Sequence, residues 1–370
     1  NIKILLKIYF LTPSSNRLTY EEINLLLDGD REVISKYKDI AEDLFSMEEL
    51  AGLLNEMRNW RGAIDFDLDE AKIILDETGE VEDIIPDERG VSERIIEEFM
   101  LIANETVAST IKHMDLPFIY RIHEQPNYEK IRSFAGVVRD LGYSFKLKNN
   151  KVYPKELQKL LEKIDEENVG LKNLVLRMMA KARYSHENLG HFGLASETYT
   201  HFTAPIRRYP DLLVHRLLRR YLVDHDVLET DGLNKKISEI AKQSSQKERE
   251  ADELEYEVAD MLKAEYMEKY IGEKFMGVIS SITSFGMFVT VKRTIEGFVS
   301  FSSMTDDYYT YNPVNMTLEG RKNKVYRIGD KVEVMVTKAS KKEREIDFKI
   351  INRGSNNGNK KYRQKQKSKS

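Results

Sequence analysis

The sequence predicts an α+β protein in which a helix-rich core precedes an all-β barrel and a disordered basic tail. Through residue 270, amphipathic helical runs alternate with short β-type runs and with turns marked by glycine and proline. From Gly272 to about Ile351, β-branched and aromatic runs are separated by glycines, a pattern typical of about five short strands in a small antiparallel barrel. The last residues are polar and rich in lysine, so they lack the apolar side chains that a packed structure needs.

The length and composition exclude several classes of protein. With 370 residues and 41% hydrophobic side chains, the chain is long enough for two or three domains with packed cores. It contains no cysteine, which excludes disulfide scaffolds and thiolate zinc sites and fits a reducing, cytoplasmic setting. No run approaches the ~18 apolar residues of a membrane span, so we expect no membrane partner. Residues 1–15 lack the cleavage pattern of a signal peptide.

The net charge of −4 hides an uneven distribution. Residues 353–370 contain seven basic side chains and no acidic one. Without these seven positive charges, the net charge of residues 1–352 is −11. Charge acts over about 10 Å at moderate salt, so an acidic average does not exclude an anionic partner.

The helix-rich core begins with short helices between residues 17 and 60 and continues with short β-type runs. Residues 77–80 (Glu-Thr-Gly-Glu) are typical of a hairpin turn between two of these runs. Ser92 is a suitable N-cap for the strongly amphipathic helix that follows. Residues 116–225 then alternate short helices with turns, and residues 232–270 predict one long charged helix.

The predicted barrel contains four motifs in a specific order, which are Gly277-Val278-Ile279, residues 285–289 (FGMFV), residues 296–299 (EGFV) and residues 329–332 (GDKV). This order resembles the RNA-binding OB-fold of the ribosomal protein S1 type. The glycines permit the bends that close a small barrel. The resemblance implies a module that binds single-stranded RNA.

Two phenylalanines and several cations of this module are candidate RNA contacts. Phe285 and Phe288 fall on neighbouring strand positions, where exposed rings can stack on bases of any sequence. An equally good alternative is that either ring belongs to the barrel core. Lys274 is a candidate phosphate contact, together with Lys292, Arg293 and Lys338. Ser300 stands where the family often has histidine, which weakens one expected contact.

The most specific segment is residues 190–194 (GHFGL) followed by residues 199–222 (YTHFTAPIRRYPDLLVHRLLRRYL). Pro210 suits the first turn of the following helix, and Asp211 can pair with a histidine four residues later, His215. Two adjacent arginines at a turn before a helix form a good phosphate clamp. A surface ion-pair network explains the same composition equally well.

With its neighbours, this segment resembles the RNB family of exoribonucleases, which includes RNase II and RNase R, and it is most similar to RNase R. Further motifs match in order, namely residues 17–20 (RLTY), 61–66 (RGAIDF), 97–105 (EEFMLIANE), 117–123 (PFIYRIH), Arg177 and Tyr184. The resemblance covers residues 16 to about 351. It implies a partial RNB catalytic domain over residues 16–270, an OB-fold over 271–352, an atypical segment over 1–15 and a tail over 353–370.

The family resemblance implies an activity and roles for particular residues. RNB enzymes degrade single-stranded RNA processively from the 3′ end at a magnesium site and release nucleoside 5′-monophosphates. Arg207 matches the arginine that grips phosphate near the scissile bond, and either Glu97 or Glu98 matches a carboxylate that touches the terminal sugar. The resemblance makes four further residues candidate channel contacts, which are Arg208, Tyr209, His201 and Arg121.

The family's aspartate cluster, which holds Mg²⁺ upstream of the RLTY motif, has no counterpart in this sequence. We looked for substitutes. Asp65, Asp67, Asp69 and Asp76 fall at calcium-loop positions, but the loop's essential glycine is replaced by glutamate. His186 and His191 are five residues apart, which does not meet the H-E-x-x-H zinc motif. We therefore predict no metal site within the chain.

Three functions are compatible with these motifs. The chain can be the downstream piece of an RNase R type exoribonuclease from a split reading frame, with little activity alone. It can instead be a non-catalytic RNA-binding protein built from an RNB remnant and an OB-fold. A third reading is a ribosome-associated factor that uses only the OB-fold. In each case we expect a monomer whose partner is single-stranded RNA, with a ribosome or an RNA-decay assembly as a candidate further partner.

Overall fold

The computed structural model describes residues 16–64, 70–87, 89–140, 142–145, 152–164, 169–227, 230–313, 315–322 and 324–353. The chain divides into two compact units. The first takes the chain up to Met57 together with Arg89–Ile102, and the second takes the remainder. The predictions for residues 1–15, for the basic tail beyond Arg353 and for the aspartates at 65, 67 and 69 lie outside the described residues.

The first unit is helical. It contains α1 (Tyr20–Leu27), α2 (Arg31–Lys36), most of α3 (Ala41–Arg61) and the first half of α4 (Val91–His113). Thr19 and Glu22 form a capping box, in which each side chain satisfies a backbone N–H at the start of α1. Buried apolar side chains join the first three helices, and these are Ile23, Leu26, Tyr37, Ala41 and Leu44.

The prediction that Ser92 caps α4 is wrong, because the helix begins one residue earlier, at Val91. The Ser92 N–H donates to the side-chain oxygen of Asn24 at 2.9 Å, and the Ser92 hydroxyl donates to the carbonyl of Tyr20 at 3.1 Å. A side chain distant in sequence thus satisfies an N–H that a local cap usually satisfies.

The second unit begins with a β-hairpin, as the sequence predicts. Strand β1 (Glu70–Leu75) pairs antiparallel with β2 (Val81–Asp87). In the turn, one carboxylate oxygen of Asp76 accepts the N–H groups of Thr78 and Glu80, at 2.8 and 3.0 Å. Asp76 is therefore a turn residue, which is inconsistent with the calcium-loop alternative.

Short elements surround one long helix in the rest of this core. Strands β3 (Tyr120–Ile122) and β4 (Arg183–Ser185) form an antiparallel pair. The predicted long charged helix is confirmed as α9 (Thr230–Glu268). The other helices are α5 (Tyr128–Asp140), α6 (Pro154–Leu161), α7 (Val169–Met178) and α8 (Tyr209–Leu218), the last followed by a π-helical turn at Arg219–Val223. No helix in the described ranges is long and apolar enough to cross a membrane.

The C-terminal region is a closed five-stranded barrel of order β11-β12-β7-β6-β5. Its strands are β5 (Lys274–Ile282), β6 (Gly286–Val291), β7 (Ile295–Ser300), β11 (Lys331–Ser340) and β12 (Glu345–Arg353). The barrel is not wholly antiparallel as predicted, because β12 closes it through a parallel pairing with β7. The α+β class, with a barrel at the C-terminal end, is confirmed.

The sequence did not predict a second, smaller sheet inserted between β7 and β11. It contains β8 (Tyr309–Asn312), β9 (Thr317–Gly320) and β10 (Val325–Arg327), in the spatial order β10-β9-β8. Both pairings are antiparallel. Buried Leu318 and Tyr326 join this insert to the same hydrophobic core as the barrel.

The barrel is held to the helical part of the second unit by one continuous core and by polar contacts. The Arg177 guanidinium on α7 donates to the Ser281 hydroxyl on β5 at 2.6 Å. Lys341, in the turn after β11, pairs with Glu265 on α9 at 2.8 Å. Lys292, a predicted phosphate contact, instead donates to the Tyr266 hydroxyl at 2.5 Å and lies over its ring.

Gly297 provides a test of barrel closure. A Cβ at this position would lie 2.6 and 2.7 Å from two ring carbons of Phe348, which is buried. We expect Gly297→Ala to overpack the barrel by about 1–3 kcal/mol. Amide hydrogens of β7 and β12 should then exchange about 5- to 150-fold faster.

Gly52→Ala is the matched control, because a Cβ at Gly52, in α3, meets nothing within 4 Å. It should leave exchange in the barrel unchanged. Unchanged exchange in Gly297→Ala would show that the ring of Phe348 moves freely and that this contact does not limit closure.

Candidate nucleic-acid interface

The turn that leads into α8 is fixed by one buried carboxylate. Asp211 is fully buried, and its Oδ1 accepts the Ala204 N–H at 2.8 Å and an Arg208 guanidinium N–H at 2.9 Å. The Ala204 carbonyl in turn accepts the backbone N–H of Arg208 at 3.0 Å. Pro210 lies in the first turn of the helix, as predicted, where its missing N–H costs nothing.

The predicted pair between Asp211 and His215 is wrong. The His215 ring lies 4.5 Å from the Phe202 ring at an interplanar angle of 19°, and its Nε2 is 2.8 Å from the Phe202 carbonyl oxygen. Asp211 points to the N-terminal side of the helix instead, because the N–H groups there need an acceptor.

The two adjacent arginines have different environments. Arg208 is partly buried against Asp211, whereas Arg207 is exposed and makes no ion pair with any residue that the structure describes. Its neighbours in the chain are also open to solvent, since Ile206 is fully exposed and Tyr209 is 50% exposed. The structure therefore presents one arginine, not a symmetric pair, as the candidate phosphate contact.

Behind this turn, a row of rings runs through the second unit. The ring centroids of His123 and His191 are 5.2 Å apart, those of His191 and Tyr199 are 5.3 Å apart, and those of Tyr199 and His201 are 5.8 Å apart. Each contact is edge-to-face. The Tyr184 hydroxyl lies 2.8 Å from Nδ1 of His201 and ends the row.

The histidines of this row are held neutral. Burial, followed by the charges of Arg208 and Arg121, lowers the pKa of His201 to about 2. Burial, followed by neighbouring His123 and Arg121, lowers the pKa of His191 to about 3. Burial raises the pKa of the Tyr184 hydroxyl, so that group stays protonated at 2.8 Å from Nδ1 of His201. The neutral imidazole of His201 offers one N–H donor and one acceptor nitrogen.

Arg121, a predicted channel contact, lies on β3 beside the row. Its guanidinium carbon is 4.8 Å from the Tyr184 ring centroid, and it forms an ion pair with Glu248 on α9. This carboxylate therefore orients Arg121 against Tyr184.

Glu97 and Glu98, on α4 in the first unit, have different environments. Glu98 is buried, and its carboxylate accepts the side-chain amide of Asn55 at 2.8 Å. Glu97 is more exposed and lies 3.6 Å from the guanidinium of Arg89. A buried, hydrogen-bonded carboxylate is held in one orientation, which makes Glu98 the better ordered of the two.

The two phenylalanines of the barrel also differ. Phe285 is 77% exposed, so the alternative that it belongs to the core is wrong. Phe288 is partly buried, with its ring centroid 5.1 Å from that of Phe298. Lys274 is exposed at the start of β5, whereas Lys338 is paired with Glu343 and Glu345. Phe285 and Lys274, and also Arg293 after β6, are therefore predicted contacts whose side chains are exposed.

Magnesium does not fit the part of the chain that the structure describes. Mg²⁺ takes oxygen ligands, usually one or two carboxylates together with waters and substrate phosphates. Within the described ranges, no three histidine or acidic side chains come together as a metal site. The carboxylates nearest the candidate interface, Asp211 and Glu248, are paired with Arg208 and Arg121.

The neutral histidine row predicts a pH-dependent stability. The pKa of His201 is about 2 in the folded chain, against about 6.5 in an unfolded one. Below about pH 6.5 the unfolded chain therefore binds more protons, and the free energy of unfolding falls as the pH falls. We expect His201→Gln, which keeps an acceptor for Tyr184, to lose stability less steeply than the wild type between about pH 7 and pH 4 in thermal unfolding.

At about pH 8 both forms are neutral at this position, so the difference there measures only lost packing and serves as the internal control. Parallel curves for the variant and the wild type across the acid range would contradict a neutral, buried His201.

Comparison with known proteins agrees with this arrangement. The model of the RNB domain family matches residues 12–224, and that of the S1 RNA binding domain matches residues 268–351. Ribonuclease R of Thermotoga maritima is 44% identical over 346 residues, which are 91% of this chain and 48% of that protein. The chain thus spans about half the length of the curated relatives that it matches.

Solved structures lead to the same family. RNase R of Mycoplasma genitalium, in complex with ribose methylated single-stranded RNA, superposes with a TM-score of 0.82 at 32% identity, covering 91% of this chain and 54% of that one. Its complex with double-stranded RNA gives a TM-score of 0.74 at 27% identity, with 91% and 55% covered. The chain belongs to the RNB family, its curated relatives include ribonuclease R proteins, and residues 268–351 match the S1 RNA binding domain.

Proposed function

We propose that this chain supplies the RNA-gripping part of a 3′-to-5′ exoribonuclease of the ribonuclease R type, acting on single-stranded RNA to release nucleoside 5′-monophosphates. The observation that carries the proposal is exposed Arg207, on a turn that buried Asp211 fixes before α8. Because its backbone is already fixed, such an arginine loses only side-chain freedom when it binds a phosphate oxygen. The related RNase R was solved with single-stranded RNA, which supports the choice of ligand.

Each candidate residue has a role that its chemistry suits. Arg207 would stabilise negative charge that develops on the phosphate in the transition state. His201, as a neutral donor, would hydrogen-bond RNA without adding charge. Glu98 would accept a ribose hydroxyl, through which a site distinguishes RNA from DNA. Phe285 would stack on a base, and Lys274 would contact a phosphate.

Arg208, Tyr209, Arg121 and Glu97 have supporting roles in this proposal. Arg208 orients the turn through Asp211, and Arg121 orients Tyr184 and so His201. Tyr209, half exposed beside Arg207, would pack against a sugar or a base. We expect the chain to act as a monomer in the cytoplasm, with a ribosome or an RNA-decay assembly as a candidate partner.

The alternative is a non-catalytic RNA-binding protein that uses the same surface. Hydrolysis in this family requires magnesium, which the described carboxylates do not suit. The roles assigned above concern the binding and orientation of RNA, and they are the same for the exoribonuclease and for the non-catalytic RNA-binding protein. The two differ in whether bound RNA is shortened.

The proposed phosphate contact predicts a change in salt dependence. Each phosphate neutralised on a single strand adds about 0.7 to the slope of log affinity against log salt. We expect Arg207→Ala to weaken binding of a fluorescein-labelled single-stranded RNA at low salt, and to make the slope shallower by about 0.7. Fluorescence anisotropy across a salt series measures both.

Arg219→Ala is the matched control, because Arg219 is also exposed and follows α8 directly. For this variant, the plot of log affinity against log salt should have the same slope as for the wild type. If Arg207→Ala also kept the wild-type slope, Arg207 would not contact phosphate and the proposed site would be wrong.

A degradation assay separates the two functions for this chain. We expect 5′-labelled single-stranded RNA to bind the purified chain but to keep its 3′ end in the presence of Mg²⁺, because the metal-binding aspartates of the family have no counterpart in the sequence. Denaturing gels measure length, and anisotropy on the same sample measures binding. Progressive shortening would show that residues of this chain suffice for catalysis.

A further inference from the structure

An exposed tyrosine and an exposed arginine stack on each other at the start of the small inserted sheet. Tyr308 directly precedes β8 and is 75% exposed. Arg321 directly follows β9. Its guanidinium carbon lies 5.0 Å from the Tyr308 ring centroid. The Arg321 N–H donates to the Tyr308 carbonyl at 3.2 Å, so backbone pairing keeps the two side chains adjacent.

Two aspartates fix the backbone on which this pair stands. Oδ2 of Asp307 accepts the Lys322 N–H at 2.8 Å, and Oδ1 of the same residue accepts the Tyr308 N–H at 2.8 Å. Oδ2 of Asp306 accepts from Lys324 at 2.5 Å. These contacts join the residues before β8 to the turn after β9, so the backbone that carries the two side chains is fixed.

Packing alone does not explain the position of the ring. The neighbouring Tyr309 points into the insert, where its ring contacts that of buried Tyr326 at a centroid distance of 5.6 Å. Tyr308 points the other way and leaves three quarters of its surface to water. An exposed arginine–aromatic contact contributes little to folding, so the free energy of the fold does not require this ring.

We propose that Tyr308, backed by Arg321, is a second base-stacking site for single-stranded RNA beside the Phe285 site of the barrel. This inference rests on the proposed RNA-binding function. A ring with a cation behind it offers its open side to any base, because every base has a π-face. The ligand class is therefore a single strand of several nucleotides with unpaired bases.

The position of the insert places this site near Phe285 along the chain. The Phe285 carbonyl accepts the N–H of Phe301 at 3.2 Å, and the next strand begins at Tyr309. Tyr308 is seven positions after Phe301 in the sequence, which sets an upper limit of about 25 Å on the distance between their Cα atoms. A strand of RNA that stacks on Phe285 therefore needs only a few more nucleotides to reach Tyr308.

The charges around the pair indicate a contact of stacking type. Lys324 is paired with Asp306, and the Lys322 ammonium donates to the Asp306 carbonyl at 2.9 Å. Both lysines beside the pair are thus already engaged by the chain, and Arg321 lies over the ring, so the ring itself would supply most of the binding. Loss of the ring should then reduce affinity by the same factor at every salt concentration, since no counterion is released.

The test compares binding of a labelled oligouridylate and oligoadenylate by the full chain carrying Tyr308→Ala, Tyr308→Phe, Phe285→Ala or Tyr153→Ala. Tyr153 is the matched control, because it is 49% exposed and precedes α6 in the same unit. We expect Tyr308→Ala to weaken binding about 5- to 150-fold, the range for one stacked base, with the same ratio at low and high salt. Tyr308→Phe should stay within about twofold of the wild type, since the π-face is retained.

The outcomes separate this inference from the proposed function. Wild-type affinity in Tyr308→Ala, with weakened binding in Phe285→Ala, would overturn the second stacking site and leave the RNA-binding function intact. Absence of RNA binding by the wild-type chain would overturn both. A loss in Tyr308→Ala that Tyr308→Phe shares, or that Tyr153→Ala matches, would also overturn the inference, because the effect would not depend on a stacked ring at this position.

Discussion

The candidate interface depends on one buried carboxylate. A buried carboxylate needs hydrogen-bond donors, and Oδ1 of Asp211 obtains two, from the backbone of Ala204 and the guanidinium of Arg208, whereas Oδ2 has no partner among the described residues. Both donors belong to the turn before α8, so the carboxylate and the turn hold each other in place. Arg207 lies on the same turn, and its direction follows from that mutual constraint. Removal of one partner would leave the other buried and unpaired, so the turn has little freedom to rearrange.

The charges next to the turn also determine the charge state of the row of rings. Arg208 and Arg121 bring two positive charges close to His201, and together with burial they keep its imidazole neutral. A charged imidazole there would add a third cation to a poorly solvated region. Glu248 offsets the charge of Arg121 from the side of α9. The candidate interface thus combines one exposed cation, Arg207, with a row of rings that carry no charge.

The sequence predicted the fold well where local patterns decide the structure. The hairpin turn around Asp76, the long helix α9 and the β-rich barrel all follow from period and turn chemistry. It failed where distant residues compete for a group. The N–H of Ser92 donates to the side chain of Asn24 on another helix. Asp211 accepts a hydrogen bond from the N–H of Ala204 in the preceding turn and does not pair with His215 on its own helix. Rules based on residue spacing cannot predict these partners, because only tertiary packing brings the partners close together.

Candidate site residues show the same division. The motifs singled out Arg207 and Arg208 together, and only the packing of Asp211 assigns one to the turn and leaves the other in solvent. The inserted sheet was missed because its strands have only four, four and three residues, too short for a period to emerge. The antiparallel pairing of β8 with β9 in this insert nevertheless brings Tyr308 next to Arg321. The barrel and the insert share one core with α7 and belong to the same compact unit as Arg207. Under the proposed function, a strand bound at one of these places is kept at a raised effective concentration at the other, because one chain carries both.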